Sequence, residues 1–332
     1  KDFTFKPRLY TNGNFIFDTE YRQANKDSNH IFDFSFNRTK GALDSGSGTK
    51  SHFFSKSDFD LDLENFDFSK VDLQIQQTSN KTYLKTYDLN SPIINNTSTL
   101  NSFLNFEASN ENLSVKTDFE VFEDLSKHDT DKYEYIFPNF ELVKKINTKN
   151  DIKGNLFFQT NATKRQYDTN VNETSIINDI VYESNNLFSK SGLLNKYNFI
   201  LKNVNTDGEN SSKYKNKTDS EFFSALMFTS SYPLKKTGEL FDSFFTPKIS
   251  FRYSPNKTKN FKDEDLRIDV SNVNSFNRLG TSESVEGGQS VTLNTDYKIT
   301  NKDHGELFNL GIATVFRDDE DDHLPTTSTL GK

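Results

Sequence analysis

Five histidines are the first candidates for proton transfer or metal binding: His30, His52, His128, His304 and His323. They are scattered, and four of them sit in or beside polar connectors, where a lone imidazole is more often solvated than functional. There is no His-Glu-x-x-His pair, no Gly-x-Ser-x-Gly elbow and no phosphate-cradling Gly loop; Gly287-Gly288 stands isolated and reads as a turn. No constellation of acid, base and nucleophile emerges, so the chain does not read as an enzyme and calls for no cofactor. The run Asp318-Asp319-Glu320-Asp321-Asp322 offers hard oxygen ligands to a divalent cation. It lacks the Gly and the spacing of a calcium loop, and reads first as a solvated tip. Zero cysteine removes disulfides, thiolate metal sites and Cys nucleophiles from this chain. Sequences such as Asn161-Ala162-Thr163 and Asn216-Lys217-Thr218 are what an Asn/Ser/Thr-rich composition gives by chance.

The elements that would carry such residues follow a short-period code. Apolar and polar residues alternate strictly in Phe59-Asp60-Leu61-Asp62-Leu63-Glu64, Val71-Asp72-Leu73-Gln74-Ile75-Gln76 and Leu113-Ser114-Val115-Lys116-Thr117-Asp118-Phe119. A strand with that pattern puts one kind of side chain on each face. The second face carries Asp, Glu, Lys, Gln and Asn, as if it met water along its whole length. Only 33% of the 332 residues are hydrophobic, which alone would suit a disordered chain, yet 33 Phe and 13 Tyr sit in the alternating runs. The apolar material is therefore arranged on single faces rather than pooled in a thick core. No stretch approaches the roughly 20 apolar residues of a membrane helix, whereas a membrane strand needs only about 9–11 alternating residues. The formal net charge of -8 argues against a nucleic-acid partner, which needs clustered Lys and Arg. Lys1-Asp2-Phe3 opens directly in strand-like text without a signal peptide, so the chain reads as an internal piece of a longer precursor.

Two strand candidates lie within residues 2–23, around Thr11-Asn12-Gly13-Asn14, and Asn-Gly is a strong hairpin signal. Further candidates are residues 31–38, 52–64, 66–77, 102–109, 113–122, 133–144, 152–161, 197–204, 221–231, 245–253, 267–270, 288–298 and 306–317. Residues 41–48 form a Gly/Ser loop, and residues 205–219 and 254–263 are connectors too polar to pack inside anything. Residues 174–190 alone admit a helical reading, with poor periodicity. Pro7 interrupts Phe3-Thr4-Phe5-Lys6-Pro7-Arg8-Leu9-Tyr10, and a strand proline removes one ladder donor unless it is simply the first residue of a strand. Pro138 and Pro247 are expected at strand beginnings.

No composition shift divides the chain, which favours one β domain over residues 1–332 with roughly 14–18 strands, more than the about 10 an open twisted sheet tolerates. Closure into a barrel removes the edges. The expectation is an all-β fold, an incomplete transmembrane antiparallel β-barrel whose polar face lines a wet lumen while its apolar face meets lipid. Stacked sheets or a solenoid would need a two-sided burial that these strands do not offer.

Four stretches then resemble a known family. Asp2-Phe3-Thr4-Phe5-Lys6-Pro7, followed by Gly13 and Glu20-Tyr21-Arg22, resembles the early barrel strands of the LptD family, the lipopolysaccharide-assembly proteins of Gram-negative outer membranes. Tyr133-Glu134-Tyr135-Ile136-Phe137-Pro138-Asn139-Phe140-Glu141-Leu142 resembles the family's mid-barrel Tyr-x-x-x-Pro-x-x-x-Leu strand. Asn274-Ser275-Phe276-Asn277-Arg278-Leu279-Gly280, then Glu283 and Glu286-Gly287-Gly288, is similar to its Asn-Arg-Phe-x-Gly-x-Asp-Arg-x-Glu-x-Gly stretch. Phe316-Arg317, an acidic spacer and Leu324-Pro325-Thr326-Thr327-Ser328-Thr329-Leu330 resemble its Leu-Pro-x-x-Ser-x-Leu element. The order is right and the four span nearly the whole chain. The chain departs from the family at Ser282-Glu283-Ser284, where Asp-Arg is usual.

The resemblance implies a cell outer-membrane protein that inserts lipopolysaccharide into the outer leaflet through a lumen and a lateral gate. It implies that a soluble jellyroll and the first barrel strand precede Lys1, and that the last third of the barrel follows Lys332. The implied partners are lipopolysaccharide, membrane lipid, an LptE-like lipoprotein plug, and the periplasmic Lpt bridge reached through the N-terminal domain. Pro7 matches a family proline credited with weakening the gate seam. Glu20, Arg22, Pro138, Asn277, Arg278, Gly280, Glu286, Gly288, Pro325 and Ser328 are the remaining motif residues. The alternative is a general outer-membrane porin or transporter barrel, told apart by ion conductance through an unplugged lumen. A surface β-rich structural protein is a third reading, told apart by whether detergent is needed for solubility.

Overall fold

The computed structural model describes residues 1–11, 14–38, 49–127, 129–148, 153–303 and 305–328. Its strands are β1 (Asp2–Phe5), β2 (Arg8–Leu9), β3 (Phe15–Ala24), β4 (Ser28–Arg38), β5 (Lys50–Asp60) and β6 (Phe68–Thr78). After a one-turn helix α1 (Tyr83–Thr86) come β7 (Thr99–Ser109), β8 (Leu113–Asp124), β9 (Tyr133–Ile146), β10 (Gly154–Tyr167), β11 (Val171–Ser184) and β12 (Leu187–Phe188). The last are β13 (Leu194–Glu209), β14 (Asp219–Ser231), β15 (Leu234–Thr237), β16 (Phe241–Ser254), β17 (Gly288–Asn301) and β18 (Gly305–Arg317). Together they make an 18-stranded sheet in which sequential strands pair. The registers are antiparallel from β3 through β8 and from β14 through β16 and β17 to β18. Strands β1 and β2 share β3 as their neighbour, β12 lies on β13, and β15 lies on β16. The longer strands run from 10 residues in β3 to 16 in β13, enough to cross a hydrocarbon layer of about 9–11 tilted residues. No helix among the described residues is long and apolar enough to cross a membrane.

Contacts divide the chain into two units. One comprises Lys1–Val143, Thr160–Ile176 and Thr206–Asp219; the other comprises Lys144–Gln159, Ile177–Asn205 and Ser220–Lys332. In the first unit the alternation is inverted relative to a water-soluble sheet. On β4, Asp33 is 3% exposed and Ser35 and Asn37 are 0%, while Phe32 and Phe34 are 37% and 40% exposed. On β3, Asp18 and Glu20 are buried between exposed Phe17 and half-buried Tyr21. The exposed face is a lattice of cross-strand aromatic pairs: Phe34 stands opposite Phe53, and Phe17 stacks on Phe36 at 5.2 Å between centroids. The connector of residues 79–98 folds over the polar face instead. Its Tyr83, Leu84, Leu89 and Ile93 pack with Ile16, Phe54, Leu100 and Leu125 into the unit's buried cluster. The connections at the opposite strand ends are short turns, residues 25–27 and 110–112.

The second unit repeats the scheme. Its long connector, residues 255–287, supplies Val285 and Phe276 to a cluster with Ile177, Ile200, Val204, Phe223 and Ala225. A second cluster joins Ile268, Leu279 and Leu324, with Phe261 against it. Outward residues such as Ile180, Leu201, Leu226, Phe251 and Leu293 are exposed.

Four expectations are corrected. Residues 174–190 are not helical: β11 and β12 occupy them, with Ser175, Ile177 and Asp179 buried and Ile176 and Ile180 exposed, a period of two. Residues 267–270 form no strand, because side chains serve their backbone: Asn272 Nδ2 donates to Arg267 O at 2.7 Å and Ile268 N to Ser328 Oγ at 3.1 Å. Strand β5 ends at Asp60 although the alternation runs on to Glu64, since Asp62 turns the backbone into the left-handed region at φ 48°. Pro138 and Pro247 lie inside β9 and β16, not at their beginnings. Pro247 is tolerated because its missing donor faces the break at Tyr232, between β14 and β15; Tyr232 N donates to Pro247 O at 3.0 Å. The Asn12-Gly13 turn, the loop at residues 41–48, His128, His304 and Leu330 lie outside the described residues.

Candidate functional site

The third and fourth motif stretches meet in the second unit. Arg278 clasps Glu286 with a two-point contact, Nε to Oε2 at 2.8 Å and Nη2 to Oε1 at 2.5 Å. Arg317, at the end of β18, adds Nη1 to the same Oε1 and donates from Nη2 to Gly287 O at 3.0 Å and to Asp321 Oδ2 at 3.2 Å. Arg252, from β16, donates to Glu286 O at 2.7 Å and to Phe276 O at 3.3 Å. Glu286 and Arg278 are buried to 0% and 2% side-chain exposure. Burial pushes the Glu286 carboxyl up, but Arg278, then Arg252 and Arg317, outweigh it and hold it below its usual value. A carboxylate so enclosed stays charged, and removing it would leave buried guanidinium groups unpaired.

The flanking motif residues shape the backbone around this pair. Gly280 and Gly288 sit at φ 68° and 79°, where a side chain is strained. Asn277 Nδ2 donates to Thr281 O at 2.7 Å and ties the turn between them. Pro325 is buried, Leu324 packs on Leu279, and Ser328 Oγ accepts from Ile268 N, so the Leu-Pro element closes over the connector. The acidic run is more than a solvated tip. Asp321 accepts from Thr258 Oγ1 and from Arg317, and Asp318 Oδ1 accepts from Gln289 N at 3.2 Å. Among the described residues no group of three or more His, Cys, Asp or Glu is placed to hold a metal ion.

The first unit holds a second buried polar group, and here one of the five histidines, His52, is not solvated. His52 Nε2 lies 3.1 Å from Asp33 Oδ1, its Nδ1 lies 2.7 Å from Ser35 Oγ, and Ser35 Oγ lies 2.8 Å from the Tyr83 hydroxyl. Ser35 is wholly buried, so this Asp-His-Ser row offers no nucleophile to a substrate; it pins the 79–98 connector to the sheet. Burial pushes the Tyr83 phenol up to about 12, so it keeps its proton and shares a buried hydrogen bond with Ser35. Tyr83→Phe is expected to cost about 1 kcal/mol, read as a lower urea midpoint, because Ser35 loses a buried partner.

Of the early motif, Glu20 is buried and meets Arg22 Nε and, at 3.7 Å, Lys6 Nζ. Pro7 lies between β1 and β2, which continue one register on β3: Phe5 faces Thr19 and Arg8 faces Ile16. Lys6 N donates to Asp18 O at 2.8 Å and Tyr10 N to Asn14 O at 2.9 Å, so even-numbered residues point their N–H at β3. Alternate N–H groups point the other way. Pro7 therefore removes a donor from the side turned away from β3. Pro138, beside exposed Phe137 in β9, is brought to neither buried group.

Sequence reasoning missed Arg252, Asp33 and Ser35, and it named His52 only to set it aside as solvated. The signal was available for Arg252, the polar residue between outward Phe251 and Tyr253, and for His52, which shares its parity with inward Phe54. Residues 48–331 of the chain match the family model LptD, described as LPS transport system D. No curated protein matches the chain.

Proposed function

The chain belongs to the LptD family, outer-membrane β-barrel proteins of lipopolysaccharide transport, and from that premise we propose that it guides the sugar head along its polar face and releases the acyl chains sideways through a seam between the first and last barrel strands, with β1 and β2 on the strand next to that gate. The observation that carries this reading is the inverted sheet: buried Asp18, Asp33 and Asp179 on one face, exposed Phe and Leu on the other. Acyl chains drawn through a wet lumen would cost roughly 0.8 kcal/mol per exposed CH₂, so a lateral exit is favoured over passage through the interior. By the same reading the protein works with a plug lipoprotein in its lumen and a periplasmic Lpt bridge.

Pro7 supports a weakened wall next to the seam: its absent N–H lies on the side away from β3, towards the strand that the resemblance places before Lys1. Pro7→Ala in the full-length protein restores one ladder donor, of about 0.5–1.5 kcal/mol, and is expected to slow export of lipopolysaccharide about two- to tenfold. The measurement is the rate at which newly made lipopolysaccharide reaches the cell surface, with antibiotic permeability as a second readout. Unchanged values of both in the variant would sink the gate. Normal surface lipopolysaccharide in cells depleted of the protein would sink the transport role itself.

A further inference from the structure

In the first unit, the connector that follows β8 and the turn that follows β10 border a cavity of about 400 Å³. That volume falls in the range of small-molecule sites. Aromatic rings and charged groups share its lining. Arg165 Cζ lies 4.3 Å from the ring centroid of Tyr167, and Lys132 Nζ lies 4.6 Å from that of Tyr133. Every cation there is already matched: Arg165 Nε with Glu134 Oε1 at 2.6 Å, Lys132 with Glu123 at 2.7 Å, and Lys127 with Asp168 at 3.1 Å. A phosphate or carboxylate ligand would have to displace one of these partners and would meet Asp124 and Asp131 as well. A neutral ligand meets no such obstacle.

The polar atoms suit hydroxyls that both donate and accept. The contacts of Asp124, Glu134 and Asp168 run through one oxygen of each carboxylate, Oδ1, Oε1 and Oδ1. Arg165 is tied through Nε, with its terminal fork outside that contact. Acceptors and a planar donor fork thus stand beside aromatic faces, the combination that a sugar ring, with polar rim and apolar C–H face, complements. We propose that this cavity binds a neutral saccharide unit. The proposal draws on the transport reading only for the sugar's source, which would then be the head group of the transported lipid; a free saccharide of the medium presents the same chemistry.

The test is calorimetric titration of the full-length protein in detergent micelles with neutral core oligosaccharide freed of lipid, phosphate and acidic sugars, with maltotriose and with inorganic phosphate. Saturable binding of the core oligosaccharide is expected, weakened about tenfold in Arg165→Met and in Tyr167→Leu, with Arg165→Lys intermediate because it keeps the charge but loses the fork. Binding of core oligosaccharide alone assigns the transported head group, and equal binding of maltotriose assigns a general saccharide site. Failure to bind either sugar, binding of phosphate alone, or unchanged affinity in both correctly folded variants overturns the proposal. Export that proceeds in a protein that binds no sugar removes the site and leaves the transport role standing; sugar binding by a protein that exports nothing does the reverse.

Discussion

Glu286→Gln is expected to destabilise the protein by about 3–5 kcal/mol, the cost of breaking a buried ion pair from one side. The amide keeps the size of the side chain, so the loss is electrical. Arg278 stays buried without a carboxylate, and among the described residues Arg317 keeps only the Asp321 ion pair. Urea unfolding of the full-length protein in detergent micelles reads the change as a lower midpoint with an unchanged slope. A double variant, Arg278→Met with Glu286→Leu, removes both charges together and should recover part of the loss, because an apolar pair of similar volume often replaces a buried ion pair without penalty. Recovery is partial because Arg252 and Arg317 remain. The pH dependence has a fixed sign. The Glu286 carboxyl is held below its usual 4.5 in the folded protein, so its contribution is fully present above that value and is lost as pH falls through the folded pKa. The native protein should therefore lose more stability below about pH 4.5 than Glu286→Gln does. Equal midpoints for the native protein and Glu286→Gln would mean that the pair fastens nothing.

That site was half legible from sequence, and the reason is distance along the chain. Arg278 and Glu286 share one short stretch and fit a motif, so their importance could be read. Their roles could not, since the environment that defines them is assembled from Arg252 and Arg317, which lie 34 and 31 residues from Glu286. The strands were legible because a period of two is local: residues 113–122 and 306–317 reappear almost unchanged as β8 and β18. The period failed where two apolar residues adjoin, as in Ile176-Ile177 and Ile180-Val181, which suit either a strand or a buried helix. It also failed in the connectors. Nothing local in residues 79–98 announces that Tyr83 will reach Ser35, 48 residues back, because only the polar face it covers makes that burial favourable.

Phe34→Arg tests the inverted sheet itself. Phe34 stands near the middle of β4, opposite Phe53 and with its ring centroid 5.8 Å from that of Phe36, on the face whose neighbours along the strand, Asp33 and Ser35, are buried. If that face met water, replacing a 40% exposed Phe by Arg would change stability by less than about 0.5 kcal/mol. Against lipid the same change is expected to cost about 2–4 kcal/mol, the depth-dependent penalty for Arg on the outer face of a membrane barrel near the midplane. Folding into phospholipid vesicles under a urea titration separates the two outcomes, with Phe34→Leu as the control that keeps an apolar side chain. The control should stay close to the native protein. Snorkelling limits the cost towards the strand ends, so Phe17→Arg, nearer an end of β3, should be milder than Phe34→Arg. A neutral Phe34→Arg would place lipid elsewhere and remove the physical basis for a polar interior. A graded penalty from strand centre to strand end would locate the hydrocarbon layer along β3 and β4.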